Sequence, residues 1–313
     1  MTLISVIVPV YNGENTIAQT IESVLSQKHS QLELIVINDG STDKTVSIVD
    51  SFTDVRIRLI SHPNQGTSAS RNRGIREAIG QYLAFLDADD LWTSDKLADQ
   101  LKALENCPEA GLAYSWTDQI DTDGKFLRPG LHMSVDNNPL NSLFLRNFIE
   151  SGSNALIRSS VFKTVGNFNE KVKYVEDWEM WLRIAAKYDF VCVPKPQVFY
   201  RIYPGSMSCN VAQAEKHLMH VMEQALALHP DIGPVVRKKA YADRYRYLAL
   251  KAVNNGPILQ NKRLALRCFI NSLRYEPVWW LSRGQNTMIF LLRLLFNPFL
   301  NQLIATQKAI SVR

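Results

Sequence analysis

Three carboxyl groups, those of Asp87, Asp89 and Asp90, directly follow the apolar run from Tyr82 to Leu86. Like charges this close repel one another unless a cation neutralises them. Hard divalent cations take carboxylate oxygens as ligands and keep waters and phosphate oxygens in the rest of their shell. The cluster therefore predicts a metal site that would also hold a diphosphate. The alternative is an acidic turn before a helix from Trp92 to Leu104, with Asp90 as the helix cap.

A second acidic pair, Glu176-Asp177, opens a predicted helix that continues to Ala186. Asp177 could act as a general base that accepts a proton from an attacking hydroxyl group. It could equally be a carboxylate that is stabilised only by the helix dipole. Both interpretations stay open at this point.

Other polar residues have the chemistry to contact a nucleotide. Asp39 follows an apolar run and could accept a hydrogen bond from a nucleobase or a ribose. Its segment is also explained as a turn in which Thr42 or Asp43 caps the next helix. The guanidinium groups of Arg71 and Arg201 suit phosphate geometry, although an exposed helix face or an exposed turn would also accommodate them.

The elements that must position these residues alternate through the first ninety residues. Apolar, β-branched runs alternate with amphipathic segments, which predicts buried strands joined by crossover helices and hence a parallel sheet covered on both faces. Because ligands bind beyond the carboxyl ends of such strands, the polar clusters should converge on one edge. The predicted strands are Ile4 to Val10, Leu32 to Ile37, Val55 to Ile60 and Tyr82 to Leu86.

The pattern changes after residue 100. Up to residue 210, strands are mixed with the helix that begins at Glu176, and they include Leu112 to Trp116, Val191 to Pro194 and Val198 to Ile202. From Ala212 onward the pattern is almost wholly helical.

The helical end of the chain is basic. From Pro230 to Arg313 it carries 14 basic and 3 acidic residues, which favours either an anionic partner surface or a solvated helix face. Aromatic and apolar residues at Trp279-Trp280 and from Met288 to Phe296 fit membrane-surface binding. Packing of this segment within the protein is the alternative.

The bulk composition, with 46% hydrophobic and 21% charged residues, is that of a globular protein. The four cysteines form no Cys-x-x-Cys pair, which indicates reduced thiols rather than a disulfide framework or a zinc site. The N-terminus lacks a signal-peptide pattern, and no uncharged apolar stretch is long enough to cross a bilayer. We therefore expect a cytoplasmic protein.

The ordered set of motifs resembles the non-processive, bacterial-type family 2 glycosyltransferases over roughly residues 3–210. This resemblance implies an α/β fold, the GT-A nucleotide-sugar transferase fold, with a Rossmann-like, mostly parallel sheet and here a C-terminal α-helical extension. Residues 1–210 would be the catalytic domain, with a nucleotide-sugar-binding half at 1–100 and an acceptor half at 101–210; residues 211–313 would be the helical region. The matching segments are Val6 to Asn12, Glu33 to Asp43, Asn64 to Gly66, Ala69 to Asn72, Phe85 to Asp90, Glu176 to Trp178 and Tyr200-Arg201.

The resemblance also implies roles for individual residues. Asp177 would be the catalytic base, which gives inversion at the anomeric carbon. Asp89 and Asp87 would coordinate Mg²⁺ or Mn²⁺. Arg201 would belong to a loop, continuing to residue 206, that closes over the substrates. The residues that would bind the nucleotide-sugar are Pro9, Tyr11 (by stacking on the base), Asp39, Arg71, Asp87 and Arg201.

The implied reaction moves one sugar from a nucleotide-diphospho-sugar to an acceptor hydroxyl group, in cell-surface polysaccharide or glycolipid synthesis. The sequence lacks the Gln-x-x-Arg-Trp segment of processive synthases, so we expect a single transfer. The expected partners are a UDP-sugar donor and a saccharide or lipid-linked acceptor, without nucleic acid. Peripheral contact with the inner face of the membrane and a homodimer are compatible with the chain. The competing interpretation is a non-catalytic nucleotide-sugar-binding module, in which Asp177 would have little purpose.

Overall fold

The computed structural model describes residues 2–135, 138–203, 210–254, 258–282 and 284–296. The chain divides into two compact units. The sheet unit consists of Met1–Leu143 and Asn147–Pro204, and the helical unit consists of Phe144–Arg146 and Gly205–Arg313. The expected domain boundary after residue 210 and the division at residue 100 stay predictions.

The sheet unit is built on one mixed sheet. The strands are β1 (Ile4–Val10), β2 (Leu32–Asn38), β3 (Ile57–Ser61), β4 (Tyr82–Phe85), β5 (Leu91–Trp92), β6 (Ala110–Ile120), β7 (Phe126–Pro129), β8 (Leu156–Arg158) and β9 (Asp189–Arg201). Their order in the sheet is β3-β2-β1-β4-β8-β6-β9-β5, with β7 paired to β6. The helices between them in the chain are α1 (Ile17–Leu25), α2 (Thr45–Asp50), α3 (Thr67–Glu77), α4 (Lys96–Asn106), α5 (Pro139–Leu145), α6 (Ser159–Val165) and α7 (Glu176–Ala185).

The first four strands are parallel to one another, as their apolar runs predict. Val6 and Val8 on one face of β1 belong to the same buried core as apolar residues of α1 and α4. Ile7 on the opposite face meets α3 at Gly74, where a Cβ atom would come within 2.3 Å of the isoleucine side chain. Helices therefore cover both faces of this half of the sheet.

The carboxyl ends of the central strands share one edge. β4 and β6 both pair antiparallel with β8, so they run in the same direction. β1 and β2 are parallel to β4 and to each other. The segments that follow β1, β2 and β4, and the last residues of β6, therefore lie at the same edge, which is the convergence that the alternating pattern predicts.

The second half of the sheet differs from its predicted strands. Two short strands were expected after residue 190, whereas β9 is one strand of 13 residues. Its register against β6 shifts at Trp116, which lies opposite Pro196. Because proline donates no backbone hydrogen bond, the irregularity falls there without ending the strand.

The helical unit contains α8 (Val211–Leu228), α9 (Pro234–Asn254), α10 (Ile258–Tyr275), α11 (Pro277–Ser282) and α12 (Gly284–Phe296). Trp280 is buried, its indole Nε1 donates to Ser272 Oγ at 2.7 Å, and its ring centroid lies 5.2 Å from that of Phe290. These aromatic residues therefore pack inside the unit. Within the described ranges, no helix combines the length and the hydropathy needed to cross a membrane. The predicted α/β fold with a helical C-terminal extension is confirmed.

Candidate active site

The three carboxyl groups that follow β4 lie in different surroundings. Asp90 is fully buried, and its two oxygens accept hydrogen bonds from Ser153 Oγ at 2.5 Å and from Arg201 N at 2.9 Å. Burial raises its pKa well above the ordinary value. Because α4 begins only at Lys96, after Asp95, the interpretation of Asp90 as a helix cap is wrong. Asp90 instead fixes the end of β4 to β9.

Asp89 has the surroundings of a cation ligand. Burial and the neighbouring Asp87 raise its pKa to about 6, and the hydroxyl group of Tyr203 bonds to it. A cation would remove the repulsion between the two acids. Among the residues that the structure describes, no group of three or more histidine, cysteine or acidic side chains is placed to hold a metal. Asp87 and Asp89 would thus leave most of the coordination shell to water and phosphate, as Mg²⁺ sites commonly do.

Arg71 connects this acidic cluster to the start of α7. Its guanidinium group is 2% exposed and donates to Asp87 Oδ1 at 2.6 Å and to Glu176 Oε1 at 3.4 Å. It also lies 5.3 Å from the centroid of the Phe168 ring. Gly152 packs against it so closely that a Cβ atom would lie 2.5 Å from Nη2. The arginine is therefore held in one position between the loop after β4 and α7.

Asp177 lies in the first turn of α7. Burial raises the pKa of its carboxyl group to about 7, with further contributions from the charges of Glu176 and Asp87, and against the opposing effects of Arg71 and the Trp178 N–H group. Its neighbour Glu176 and Asp87 both accept hydrogen bonds from the Arg71 guanidinium group, which connects the start of α7 to the acidic cluster. An acid with a pKa near the working pH is well suited to accept a proton in a reaction.

A small pocket lies at the carboxyl ends of β1 and β2. The side chain of Tyr11 is 54% exposed there, so its ring is available for stacking. The structure places three of the residues predicted to contact the nucleotide in this pocket, together with neighbours from α3. It is lined by Pro9, Val10, Tyr11, Asp39, Thr67 and Ser70.

Asp39 is the buried acid of this pocket. Its two oxygens accept hydrogen bonds from the backbone N–H groups of Gln65 at 2.7 Å and of Gly66 at 2.9 Å. Asp43 holds the start of α2, because its Oδ1 accepts from Thr45 N at 3.0 Å. The turn and the pocket acid are thus separate residues, so the turn is compatible with a nucleotide contact by Asp39, which stays a prediction.

Arg201 points into the protein. It is 2% exposed, and its Nε donates to the backbone oxygen of Asp89 at 2.7 Å, while Nη1 donates to that of Thr122 at 2.6 Å and Nη2 to Gln19 Oε1 at 2.9 Å. It therefore fixes the backbone of the carboxylate cluster. Its contact with a nucleotide-sugar stays a prediction, and residues 204–206 of the expected closing loop lie outside the described residues.

Three further residues contact this site although the sequence predicts no role for them. Glu176 accepts a hydrogen bond from Arg71, Gly152 makes room for that arginine, and the Oγ of Ser153 accepts from Asp87 N at 3.0 Å. The sequence marks Glu176 as an acidic residue at a helix start, but it does not predict the hydrogen bond from Arg71. The other two depend on partners more than 60 residues away, and no local signal reveals such pairs.

Comparisons with known proteins agree with this geometry. Residues 5–252 match the model of the family described as "Glycosyltransferase like family 2". WfaP of Escherichia coli, a UDP-Glc:alpha-D-GlcNAc-diphosphoundecaprenol beta-1,3-glucosyltransferase, is 31% identical over 212 residues, which cover 67% of this chain and 81% of WfaP. TuaG of Bacillus subtilis, a putative teichuronic acid biosynthesis glycosyltransferase, is 31% identical over 235 residues, or 72% of this chain and 90% of TuaG.

Other relatives are longer than the matched region. The chain spans between 26% and 60% of the length of its relatives from Rickettsia species. Among solved structures, residues 1–349 of TarS from S. aureus in complex with UDP-GlcNAc superpose with a TM-score of 0.61 at 17% identity, covering 90% of this chain and 92% of that one. This likeness confirms the predicted GT-A fold. The chain, with its acidic groups and the small pocket beside Tyr11 on one sheet edge, belongs to the glycosyltransferase-like family 2.

Proposed function

We propose that the protein is an inverting glycosyltransferase that moves one sugar from a nucleotide-diphospho-sugar to an acceptor hydroxyl group. The observation that carries this proposal is the position of Arg71, which bonds Asp87 on one side and Glu176, the neighbour of Asp177, on the other. This contact supports a site in which Asp87 and Asp89 would bind the diphosphate through a cation, with Asp177, whose pKa is raised, as the base. A non-catalytic binding module has no use for the base.

In the proposed reaction the Asp177 carboxylate accepts the proton of the acceptor hydroxyl group. The oxygen of that hydroxyl group forms a bond to the anomeric carbon at the same time. The bond from that carbon to the phosphate oxygen breaks, and a nucleoside diphosphate leaves. Because attack and departure occur on opposite faces of the sugar, one base is sufficient and no covalent intermediate forms. General base catalysis of this kind contributes about 10²- to 10⁴-fold to a rate.

We assign the metal site to Asp89 and Asp87. The acidic pair fits Mg²⁺ or Mn²⁺, because the pKa of Asp89 is raised by burial and by a like charge, both of which a cation would offset. When bound, such a cation supplies positive charge that stabilises a leaving diphosphate. Asp90 and Arg201 hold the backbone of the pair in place.

The relatives support a choice of substrates. WfaP takes its sugar from UDP-Glc, and TarS has been crystallised with UDP-GlcNAc, so we propose a UDP-sugar donor. The diphosphoundecaprenol-linked acceptor of WfaP and the polymer named for TuaG support a saccharide or lipid-linked acceptor in cell-surface polysaccharide or glycolipid synthesis. In this proposal the nucleobase of the donor lies at the small pocket beside Tyr11.

A donor screen tests the proposal. The full chain is incubated with UDP-, dTDP- and GDP-sugars and Mn²⁺, and the released nucleoside diphosphate is measured with and without EDTA. We expect release from at least one UDP-sugar, and its loss on chelation. Binding of a donor by calorimetry without release of diphosphate, in the presence of acceptor glycosides, would favour the non-catalytic binding module instead.

We also propose that the protein works at the inner face of the membrane through α10. That helix carries no acidic residue, and Leu266 and Ile270 on it are 46% and 42% exposed. Apolar residues among cations suit an anionic lipid surface. Replacing both with Gln should abolish co-sedimentation with vesicles containing phosphatidylglycerol, whereas Val235→Gln on α9 should not. Equal binding of all three proteins would contradict this assignment, and the expected homodimer stays a prediction.

A further inference from the structure

A second polar cluster lies on the sheet unit beside the proposed active site. We call Trp116, Asp118, His132 and Glu150 the β6 cluster. His132 Nε2 lies 2.7 Å from Asp118 Oδ1, and its ring stacks on that of Trp116 with a centroid distance of 4.9 Å. Glu150 Oε1 accepts a hydrogen bond from Leu131 N at 3.0 Å. The cluster thus joins two acids, an imidazole ring and an indole ring on one patch.

The backbone that carries the β6 cluster is strained. His132 and Glu150 have φ angles of 45° and 73°, in the left-handed region that residues other than glycine rarely adopt. Gly130 has no room for a side chain, because a Cβ atom would lie 2.5 Å from Glu150 Oε2. Strain of this kind persists only where surrounding contacts impose it, and it concentrates at ligand sites.

The polar groups of the β6 cluster are incompletely paired. In the part of the chain that the structure describes, Trp116 Nε1 and the adjacent Ser151 Oγ are buried without a hydrogen-bond partner. Burial raises the pKa of Glu150 to about 7, in spite of the hydrogen bond from Leu131 N. Buried polar atoms are normally paired in folded proteins. The surroundings of the β6 cluster therefore contain polar groups that the protein leaves unpaired, while the side chains of His132 and Asp118 keep 29% and 12% of their surface exposed.

The loop after Glu150 connects the β6 cluster to the proposed site. Glu150 stands two residues before Gly152, so the Cα atoms of these two residues are within about 7 Å of each other. Gly152 in turn packs against Arg71, which bonds to Glu176, the neighbour of Asp177.

The sheet places the β6 cluster on the far side of the acidic pair from the nucleotide. β4 lies between β1 and β6 in the strand order, and Asp118 is close to the carboxyl end of β6. β1 and β2 bear the nucleotide pocket, and β4 leads into Asp87 and Asp89. An acceptor that approaches opposite the nucleotide would therefore meet the β6 cluster.

We propose that the β6 cluster binds the acceptor, by hydrogen bonds from hydroxyl groups of its terminal pyranose ring to Asp118, His132 and Glu150. Carboxylates accept hydrogen bonds from hydroxyl groups, and a neutral imidazole offers one donor and one acceptor. A site built from buried polar groups strongly rejects ligands that lack the matching hydroxyl group. The β6 cluster therefore determines acceptor specificity. This inference rests on the proposed function.

The first test measures acceptor kinetics in Glu150→Gln and His132→Asn. Glu150→Gln keeps an oxygen for the Leu131 N–H group, which protects the loop. The probes are methyl and octyl glycosides of glucose, galactose and N-acetylglucosamine, with released UDP as the readout. For the probe that stimulates release most, we expect its KM to rise at least tenfold while the KM of the UDP-sugar changes less than twofold. Unchanged acceptor KM values would overturn the proposal.

A matched control is Arg128→Gln. Arg128 lies on the neighbouring β7 and is exposed, and its side chain donates to Gln119 Oε1 at 2.5 Å. Its replacement should leave the acceptor KM within twofold of the unaltered protein. A tenfold rise in this variant as well would show that β7 as a whole matters, and would overturn the assignment to the β6 cluster.

The second test does not depend on turnover. The imidazole C2–H resonance of His132 is identified by its absence from His132→Asn and followed by NMR while the same glycosides are added to the UDP-bound protein. At least one probe should shift this resonance, and Glu150→Gln should weaken the shift. If no probe moves it, the β6 cluster does not bind saccharide, whether or not the protein cleaves a donor. If it moves without donor cleavage, the proposed function fails but the binding site stands.

Discussion

The two sides of the site are built in opposite ways. We call the part around Tyr11 and Asp39 the nucleotide side, and the part around Asp177 and Glu150 the base side, after the proposed catalytic base. On the nucleotide side, both oxygens of the buried Asp39 accept hydrogen bonds from backbone N–H groups. On the base side, burial raises the pKa of Asp177 and of Glu150 to about 7, and Glu176 Oε2 is buried without a partner in the described residues. The buried acid of the nucleotide side thus has hydrogen-bond donors for both oxygens, whereas the acids of the base side lie in surroundings that disfavour their ionised form.

Backbone strain follows the same division. Of the five described residues other than glycine with positive φ, four lie between residues 130 and 175 and only Asn12 lies on the nucleotide side. Asparagine tolerates this conformation better than most residues. Perturbed acids and strained backbone tend to mark the places where a protein does chemistry or binds a ligand. This division supports the proposed function, in which the chemistry lies on the base side and the other side binds the nucleotide.

The largest expected effect is that of Asp177→Asn. Loss of the general base should reduce the rate of transfer about 10³-fold, with the KM of the UDP-sugar unchanged, because Asp177 does not contact the nucleotide pocket. Steady-state kinetics of UDP release with an acceptor would measure this. Glu179→Gln is the control: this acid on the same helix pairs with Arg183 at 2.8 Å and should retain activity. Equal losses in both variants would show that charge on α7, rather than one base, is what matters.

Arg71→Met should affect both sides of the site at once. It leaves Asp87 and Glu176 without their buried counter-charge, and removing one partner of a buried pair costs about 3–5 kcal/mol of unfolding free energy. Chemical denaturation would measure the loss. Arg73→Met removes an exposed arginine from the same helix, which pairs only at the surface with Glu77, and should cost about 0.5 kcal/mol. If Arg71→Met were as stable as Arg73→Met, the arginine would not be the link between the two sides.

Asp39→Asn should have a smaller effect that is confined to recognition. The amide keeps one oxygen, so one of the two backbone N–H groups, of Gln65 or Gly66, loses its acceptor, which costs about 1–3 kcal/mol. That loss falls on the stability of the loop. Because the proposed function also has Asp39 accept a hydrogen bond from the nucleobase, we expect the KM of the UDP-sugar to rise about tenfold, which corresponds to about 1.4 kcal/mol of binding free energy, with little change in kcat. A fall in kcat with an unchanged KM would instead assign Asp39 to the chemistry and remove the contrast between the two sides.

The strand and the acidic residues of the nucleotide side lie where the sequence pattern predicts them. β1 has the predicted bounds, Ile4–Val10, because a continuous apolar run in a parallel sheet is a strong local signal. The Asp87 and Asp89 carboxyl groups lie at the strand end where the alternating pattern placed them. Asp39 was also assigned to the pocket that it lines.

The base side was less predictable because its contacts are distant in sequence. β6 was expected over Leu112 to Trp116 but runs Ala110–Ile120, and the added residues include Asp118 of the β6 cluster. The position of Glu150 depends on Gly130 and Leu131, and its φ of 73° is one that sequence patterns assign to glycine. Propensity and periodicity carry no record of such pairs, so Asp177 is the one residue of this side for which the sequence predicts a role, and that role stays a prediction.

The most direct test of the account is the pH dependence of kcat/KM for the acceptor, measured with saturating UDP-sugar and Mg²⁺. The raised pKa of Asp177, about 7, means that its carboxyl group is mostly protonated, and so inactive as a base, below that pH. We predict a tenfold fall in kcat/KM for each pH unit below about 7 and a plateau above it. A profile that stays flat down to pH 5 would contradict the assignment of Asp177 as the base.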